Sequence, residues 1–452
     1  MSWQSLEDGI RLAGGAVPLL RNSTAAPHTF PVAAEFTNWR SEQAAWRESC
    51  ALLDQSHHMT DLYISGTGAG RLLADLGVNS FANFGPGKAK QYVAANADGH
   101  LVGDAVLFHL DAGHYDLVGH PMVLDWVQFH LETGDYDATT ERDDNSHVRV
   151  YGPPKVYRYE LQGPAAAAVM EKVTGAGLAG EKFFAMTSFT IAGRPVRALR
   201  HGMAGQPGFE MFGPWEDAEA VLDALLEAGQ DFGLVRVGAK AYSTANLESG
   251  WIPAPLPAVF AGEGLKSYRQ WLPSSAAGSL GGSMDSPDIT DYYVTPYDVG
   301  YGRLVAFDHD FTGRSALEEI AKDPRRAKVT LVWNSDDVTA AIGTLYRPRL
   351  PAKYIDMPKA RYALHHSDKV LVSGELAGIS MDCGYLANEH AMVSLATIDV
   401  ACSEPGTEVT VIWGENPNSA KPAVESHQQA EIRATVAPVP YARFARETYR
   451  AR

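Results

Sequence analysis

Residues 91–132 read QYVAANADGHLVGDAVLFHLDAGHYDLVGHPMVLDWVQFHLE, and their patterning decides the fold. Gln91 to Asn96, Leu101 to Leu110 and His114 to Val118 are rich in β-branched, aromatic and aliphatic residues, and two turn signals separate them, Ala97-Asp98-Gly99-His100 and Asp111-Ala112-Gly113. Runs of this kind between Gly/Asn/Asp clusters predict strands joined by tight connections. From Met122 to Glu132 the apolar residues recur at helical spacing. Upstream, Trp39, Ala44, Ala45, Trp46 and Leu53 punctuate a polar frame, which predicts an amphipathic helix over Asn38 to Leu53. An alternating strand, Thr60 to Ile64, follows, stops at Ser65-Gly66 and gives way to a helix over Gly68 to Leu76. A β-α-β-β-α order of this kind is the ferredoxin-like arrangement, an antiparallel sheet with helices on one face.

A similar order returns after Val148. It has a strand near Tyr157 to Leu161, a helix over Pro164 to Val173, strands near Phe189 to Arg200 and Phe209 to Phe212, and a helix over Trp215 to Ala228. Two related halves imply a cleft between them. From Lys328 the texture changes to short strands with closely spaced turns, including Val329 to Trp333, Val370 to Gly374, Met392 to Ile398 and Glu408 to Ile412, which predicts a small β-barrel. The expected class is therefore α+β, divided at 1–147, 148–325 and 326–452. The Gly/Ser-rich segment from Gly262 to Asp288 is expected to run around a central hole.

A chain of 452 residues can bury enough interior to hold a cofactor. Its net charge of -16 repels a polyphosphate backbone, and no basic stripe with interleaved aromatics counters this, so nucleic acid is not an expected partner. The start, Met1 to Arg21, carries Glu7 and Asp8 and no long apolar run, which argues against a signal peptide or membrane span and for the cytoplasm. Cys50, Cys383 and Cys402 lack CxxC spacing and cannot form a disulfide framework. No metal site is expected: His57 and His58 are adjacent, and adjacent strand residues point to opposite faces.

Three stretches place polar groups among apolar or glycine residues: Asp54-Gln55-Ser56-His57-His58-Met59, Gly208-Phe209-Glu210-Met211-Phe212, and Ala241-Tyr242 through Leu247-Glu248-Ser249-Gly250-Trp251. With them, the Asp98-Gly99 turn followed by Gly103-Asp104, and the late Val372-Ser373-Gly374 hairpin, the chain resembles the aminomethyltransferase family, the folate-binding T-protein of glycine cleavage and its relatives. Within that family, Asp54 to Met59, Pro86-Gly87-Lys88-Ala89-Lys90-Gln91 and Glu248-Ser249-Gly250-Trp251-Ile252-Pro253 are similar to the bacterial tetrahydrofolate-dependent O-demethylases of aromatics such as vanillate and syringate. A sesamin demethylenase also belongs among the relatives. The resemblance implies a T-protein-like three-domain ring with tetrahydrofolate in its channel. It also implies a small aromatic ether as substrate and transfer of a methyl or methylene unit, giving a phenol or catechol with 5-methyl- or 5,10-methylenetetrahydrofolate.

An aryl ether surrenders its carbon to a neutral amine only if the departing phenolate is protonated or strongly hydrogen-bonded, so an acid is required. Tyr242 suits the task because its reference pKa of about 10 lies near that of a phenol, and the resemblance puts the catalytic tyrosine there. The resemblance also implies Glu210 as the carboxylate that takes paired hydrogen bonds from the pterin, with Trp251, Tyr92 and Val118 completing the cofactor contacts. Asp104 falls on the family's catalytic aspartate. Gln55 and His58 are expected to face the substrate, and His58 can also exchange a proton near neutral pH.

One departure bears on the substrate. Where carboxylate-binding O-demethylases carry arginine after Val-Gly, this chain has Val118-Gly119-His120-Pro121. A neutral imidazole cannot clamp a carboxylate bidentately, so His120 predicts a neutral methoxyphenol or methylenedioxyphenyl compound, unless a charged His120 or another arginine such as Arg21 holds the acid. Three rival functions remain. A true aminomethyltransferase needs a lipoyl-carrier surface; a folate-binding iron-sulfur scaffold lacks its Lys-Gly-Cys-Tyr-x-Gly-Gln string here; a sarcosine-type oxidative demethylase lacks its flavin domain and GxGxxG.

Overall fold

The alternation read from residues 91–118 becomes the centre of a five-stranded antiparallel sheet. In the computed structural model, which describes residues 4–176, 182–419 and 421–449, its order is Lys88–Ala95, Leu101–Asp111, His114–Gly119, Thr60–Ser65 and Thr139–Asp143. One face carries Leu62, Ile64, Leu107 and Leu117 against the helices Ala69–Leu76 and Pro121–Thr133. Each such side chain contributes roughly 1.5–3 kcal/mol by leaving water. Pro121 sits at the first helical position, and His120 caps the helix by accepting the Met122 N–H on Nδ1 at 3.3 Å.

A second sheet runs Leu234–Val237, Cys50–Asp54, Val156–Gln162, Gly208–Pro214, Arg194–Leu199 and Met186–Ile191, with only the first pair parallel. Here the sequence expectation needs correcting. The helix expected over Asn38 to Leu53 ends at Glu48, and Cys50–Asp54 is a strand between two neighbours. Cys-Ala-Leu-Leu is buried throughout, and a short unbroken apolar run fits a fully covered strand as well as it fits a helix. Residues 55–59 therefore cross from the second sheet to the first.

The C-terminal region is a closed six-stranded barrel: Arg326–Trp333, Ala391–Asp399, Glu375–Leu386, Asp368–Val372, Glu408–Trp413 and Ala430–Ala437, the last pairing back to the first. Glu375–Leu386 and Ala430–Ala437 were not among the expected strands. Ser373 and Gly374 both take positive φ, 52° and 86°, in the two-residue connection that twists this hairpin in the right sense. Trp333 and Trp413 meet edge-on inside the barrel at 5.6 Å. The Gly262–Asp288 segment links the parts. Its helix Lys266–Trp271 packs on Phe129, and Leu280–Gly281 pairs with His365–His366 beside the barrel.

Candidate active site

Strand alternation gives the second sheet an apolar helix-side face, with Tyr157, Tyr159, Leu161, Phe209 and Met211. It also gives an inner face carrying Arg158, Glu160, Gln162 and Glu210, all buried. Ionised groups are rarely buried unless paired, so a charged interior row needs a reason. Part of it is structural. Arg158 Nη2 donates to Asp61 and, at 3.1 Å, to Asp116, both from the first sheet, while its guanidinium lies 5.0 Å from the Phe212 ring centre. One arginine thus ties the two sheets together.

Residues 54–59 and the segment from Gly238 to Trp251 converge at one edge of this interface. Glu42 fixes the second by accepting the Gly238 N–H at 2.9 Å and the Phe36 and Thr37 N–H groups. A Cβ on Gly238 would lie 2.5 Å from the Ala34 carbonyl oxygen, so this approach requires glycine. The short helices Ala239–Tyr242 and Ala245–Ser249 follow, and Gly250, at φ 72°, turns the chain so that Trp251 heads inward. The result brings the Tyr242 hydroxyl to 2.8 Å from His58 Nε2. Both side chains line a cavity of about 550 Å³, shared with Phe30, Met59, His120 and Trp251. Burial, with the positive charge of Arg158, pushes His58 down to about 4, so the imidazole is neutral at neutral pH. Burial and the carboxylates Glu160 and Glu210 hold the Tyr242 hydroxyl well above its ordinary value, while the Gln55 side chain opposes the rise. Tyr242 therefore keeps its proton until something draws on it.

Glu210 is 5% exposed and accepts no hydrogen bond from any described residue. The nearest basic nitrogens, Arg158 Nη1 at 3.6 Å and His201 Nδ1 at 3.9 Å, stand beyond hydrogen-bond reach, and both are themselves buried without a partner. Glu160 differs, since its oxygens accept from Gln55 Nε2 and the Met203 N–H, each at 2.8 Å. Glu160, His201 and Glu210 do bring one ligand atom each within 4.8 Å of one another. With Glu160 already satisfied, the group presents one carboxylate able to accept. A flat heterocycle with adjacent N–H donors matches that set, and the folate pterin is such a group.

Asp104 faces the same interior from the first sheet. Its Oδ2 gathers donors from Gln91 Nε2, Trp251 Nε1 at 3.0 Å and the Tyr301 hydroxyl at 2.8 Å. Burial nevertheless lifts its pKa to about 6, above the ordinary 3.8. The native state then holds an extra proton between about pH 4 and 6, so the contribution of Asp104 to stability falls as pH rises through that window. At neutral pH the penalty is on the order of 3 kcal/mol. Asp104→Asn is therefore expected to melt several degrees above the wild type at pH 7.5 and no higher at pH 4, as thermal denaturation at the two pH values will test.

Of the sequence-predicted residues, Tyr242, His58, His120 and Trp251 share the cavity wall. Glu210 and Asp104 lie on the facing inner surfaces of the two sheets, as does Val118, which packs with Phe108, Leu199 and Phe212. Two expectations need correction. Tyr92 lies one residue out of phase with Gln91 and Val93, on the helix face, where its hydroxyl donates to the Leu73 carbonyl at 3.2 Å and its ring lies against Gly77. It is a core residue, not a cofactor contact. Gln55 is not on the cavity wall: it is buried, its Nε2 donates to Glu160 at 2.8 Å, and its side chain bears on the Tyr242 hydroxyl. Arg21 is not on the cavity wall; it donates to the Gly282 carbonyl at 3.2 Å. Sequence reasoning missed Arg158, Glu160 and Tyr301. The first two alternate with apolar residues on an otherwise core-like strand, a signal that was available; Tyr301 comes from an irregular segment that carries none.

Syringate O-demethylase from a Sphingobium species is 45% identical over 99% of this chain and 98% of its own length. Sesamin methylene transferase from a Sinomonas species is 30% identical over 91% and 90%. Among solved structures, the glycine cleavage system aminomethyltransferase T from Bartonella henselae shares the fold, with a TM-score of 0.62, 18% identity and coverage of 92% and 94%. The family described as the GCVT N-terminal domain matches residues 12–254, the span that holds Glu210, Asp104, His58 and Tyr242. On that match, and on relatives aligned along nearly its whole length, the chain belongs to the GCVT family.

Proposed function

We propose that this protein takes a one-carbon unit from an aromatic ether with tetrahydrofolate as acceptor, releasing a phenol or catechol. The observation that carries the reading is the Tyr242–His58 pair at 2.8 Å on the wall of a cavity large enough for a substituted benzene ring. When bound, tetrahydrofolate supplies the nucleophilic amine that receives the carbon. Glu210 would hold its pterin by accepting ring N–H groups, and Trp251, oriented by its bond to Asp104, would cover it. No oxidant is needed, because the ether C–O bond breaks with its electron pair remaining on oxygen. The protein's own task is to stabilise that oxygen.

Tyr242 performs it as a hydrogen-bond donor. When the imidazole proton sits on Nε2, His58 donates to the tyrosine oxygen and leaves the phenolic hydrogen directed at the substrate. Gln55 reinforces this by lowering the cost of charge on the tyrosine oxygen. Phe30, Met59 and Val32 give this part of the cavity an apolar wall, beside which a donated hydrogen bond is worth more than it would be in open solvent.

Purified protein given tetrahydrofolate and a panel of methoxy- and methylenedioxyaromatics, under anaerobic conditions and without NAD(P)H, is expected to release a phenol or catechol. Mass analysis of the folate product separates methyl from methylene transfer. Turnover that persists without the folate, or that requires a flavin, refutes the proposal.

A further inference from the structure

The cavity has a second polar end, built from the C-terminal part of the chain. Arg361, in the segment preceding the short strand His365–His366, opens onto it together with His28 and His120. One Nη2 donates to the Leu364 carbonyl at 3.1 Å, which fixes the side chain without neutralising it. The carboxylate that acts on Arg361 is Asp382, and Asp382 is already bonded to Lys359 Nζ at 2.5 Å and Asn246 Nδ2 at 2.6 Å. Among the described residues, no carboxylate lies within ion-pair distance of the Arg361 guanidinium. Arg361 is an exposed residue, and where it borders the cavity its guanidinium is open to an incoming anion.

The neighbours sharpen the point. Burial, then His365 and Arg361, push His120 down to about 3. His28, stacked on His147 at 4.1 Å, is lowered by burial, by His147 and by Arg361. Both imidazoles are neutral at neutral pH, so each can still give one N–H to an anion; Lys359, also on this wall, is paired with Asp382, which leaves the open positive charge of this end on Arg361. Phe30 links the two ends, its ring 6.1 Å from His58 and 6.3 Å from His28. An aromatic ring seated beside Phe30 would have the Tyr242–His58 pair on one side and Arg361 on the other.

We propose that Arg361 is a specificity-determining residue that holds a carboxylate borne by the aromatic substrate, with His28 and His120 flanking it. This rests on the aryl-ether reading above. It reverses the expectation drawn from His120: the arginine missing after Val118-Gly119 is replaced by one reaching in from the barrel side. Its planar fork gives the paired donors a carboxylate takes.

The test compares wild type with Arg361→Met and Arg361→Lys. Calorimetry would follow binding of 4-hydroxy-3-methoxybenzoate and of tetrahydrofolate, and kcat/KM would be measured for that benzoate and for neutral 2-methoxyphenol. Arg361→Met is expected to weaken benzoate binding at least about thirtyfold, mainly as a rise in KM. Turnover of 2-methoxyphenol and affinity for tetrahydrofolate should stay within about twofold. Arg361→Lys should recover part of the loss, since it restores charge without the fork. Equal losses on both ethers mark a structural role and overturn the proposal. So does a selective loss of tetrahydrofolate affinity, which would assign Arg361 to the glutamate tail of the coenzyme, or a wild type that does not bind the benzoate. If the benzoate binds through Arg361 yet no ether is cleaved, the anchor stands and the proposed reaction fails.

Discussion

Tyr242→Phe is expected to lower turnover by roughly 10²–10⁴-fold while leaving tetrahydrofolate affinity within about twofold. The substitution removes one oxygen and little volume, so the cavity keeps its shape and Glu210 its surroundings. What disappears is the hydrogen bond that strengthens as charge develops on the departing oxygen, and an interaction made mainly in the transition state shows in kcat rather than in binding. Burial and the nearby carboxylates keep the tyrosine protonated across the accessible range, so no limb of the wild-type pH profile should report its ionisation. His58, pushed down to about 4, should likewise contribute no limb between pH 6 and 8. Steady-state kinetics beside a folate titration would decide the matter. A variant turning over at near the wild-type rate would pass the role of acid to another group.

The second large effect falls on stability. Arg158→Met is expected to cost about 3–5 kcal/mol, enough to leave much of the protein insoluble at neutral pH. Asp61, Asp116 and Glu210 all lie within 4.0 Å of this guanidinium, and each is at most 5% exposed. Without it, three carboxylates remain buried with no cation. They then take up protons in the folded state at higher pH than in the unfolded chain, so the deficit should grow as pH rises from 5 to 8 and shrink in the opposite direction. Denaturant titrations at both pH values would reveal it. The double change Asp61→Asn with Asp116→Asn in the Arg158→Met background should restore most of the loss, and failure to do so would show that packing, not charge, is at stake.

The hairpins at Asp98-Gly99 and Ser373-Gly374 were legible in the sequence because local turn chemistry sets them. The helices over residues 69–76 and 121–133 were legible from their apolar periodicity. Cys50–Asp54 was misread because four apolar residues carry no period, and only their position between two other strands makes them one. In the site, the stretches carrying Tyr242, His58 and Glu210 stood out as polar groups among glycines and apolar neighbours, while the roles expected of them came from the family resemblance. Tyr92 was misplaced by one step of strand alternation, which a motif cannot supply. Arg361 lay beyond reach for a different reason. Its segment has no pattern of its own, and it meets His28 and His120 only through tertiary packing across more than two hundred residues.

The crossing made by residues 55–59 limits how this chain can be divided. A cut between residues 147 and 148 would carry Cys50–Asp54 away from the sheet it completes, leaving Leu234–Val237 and Val156–Gln162 as bare edges where no partner waits. The fragment bearing Tyr242 would also lose His58. Gene fusion, circular permutation or shuffling with a relative at that midpoint would thus yield sticky, inert pieces.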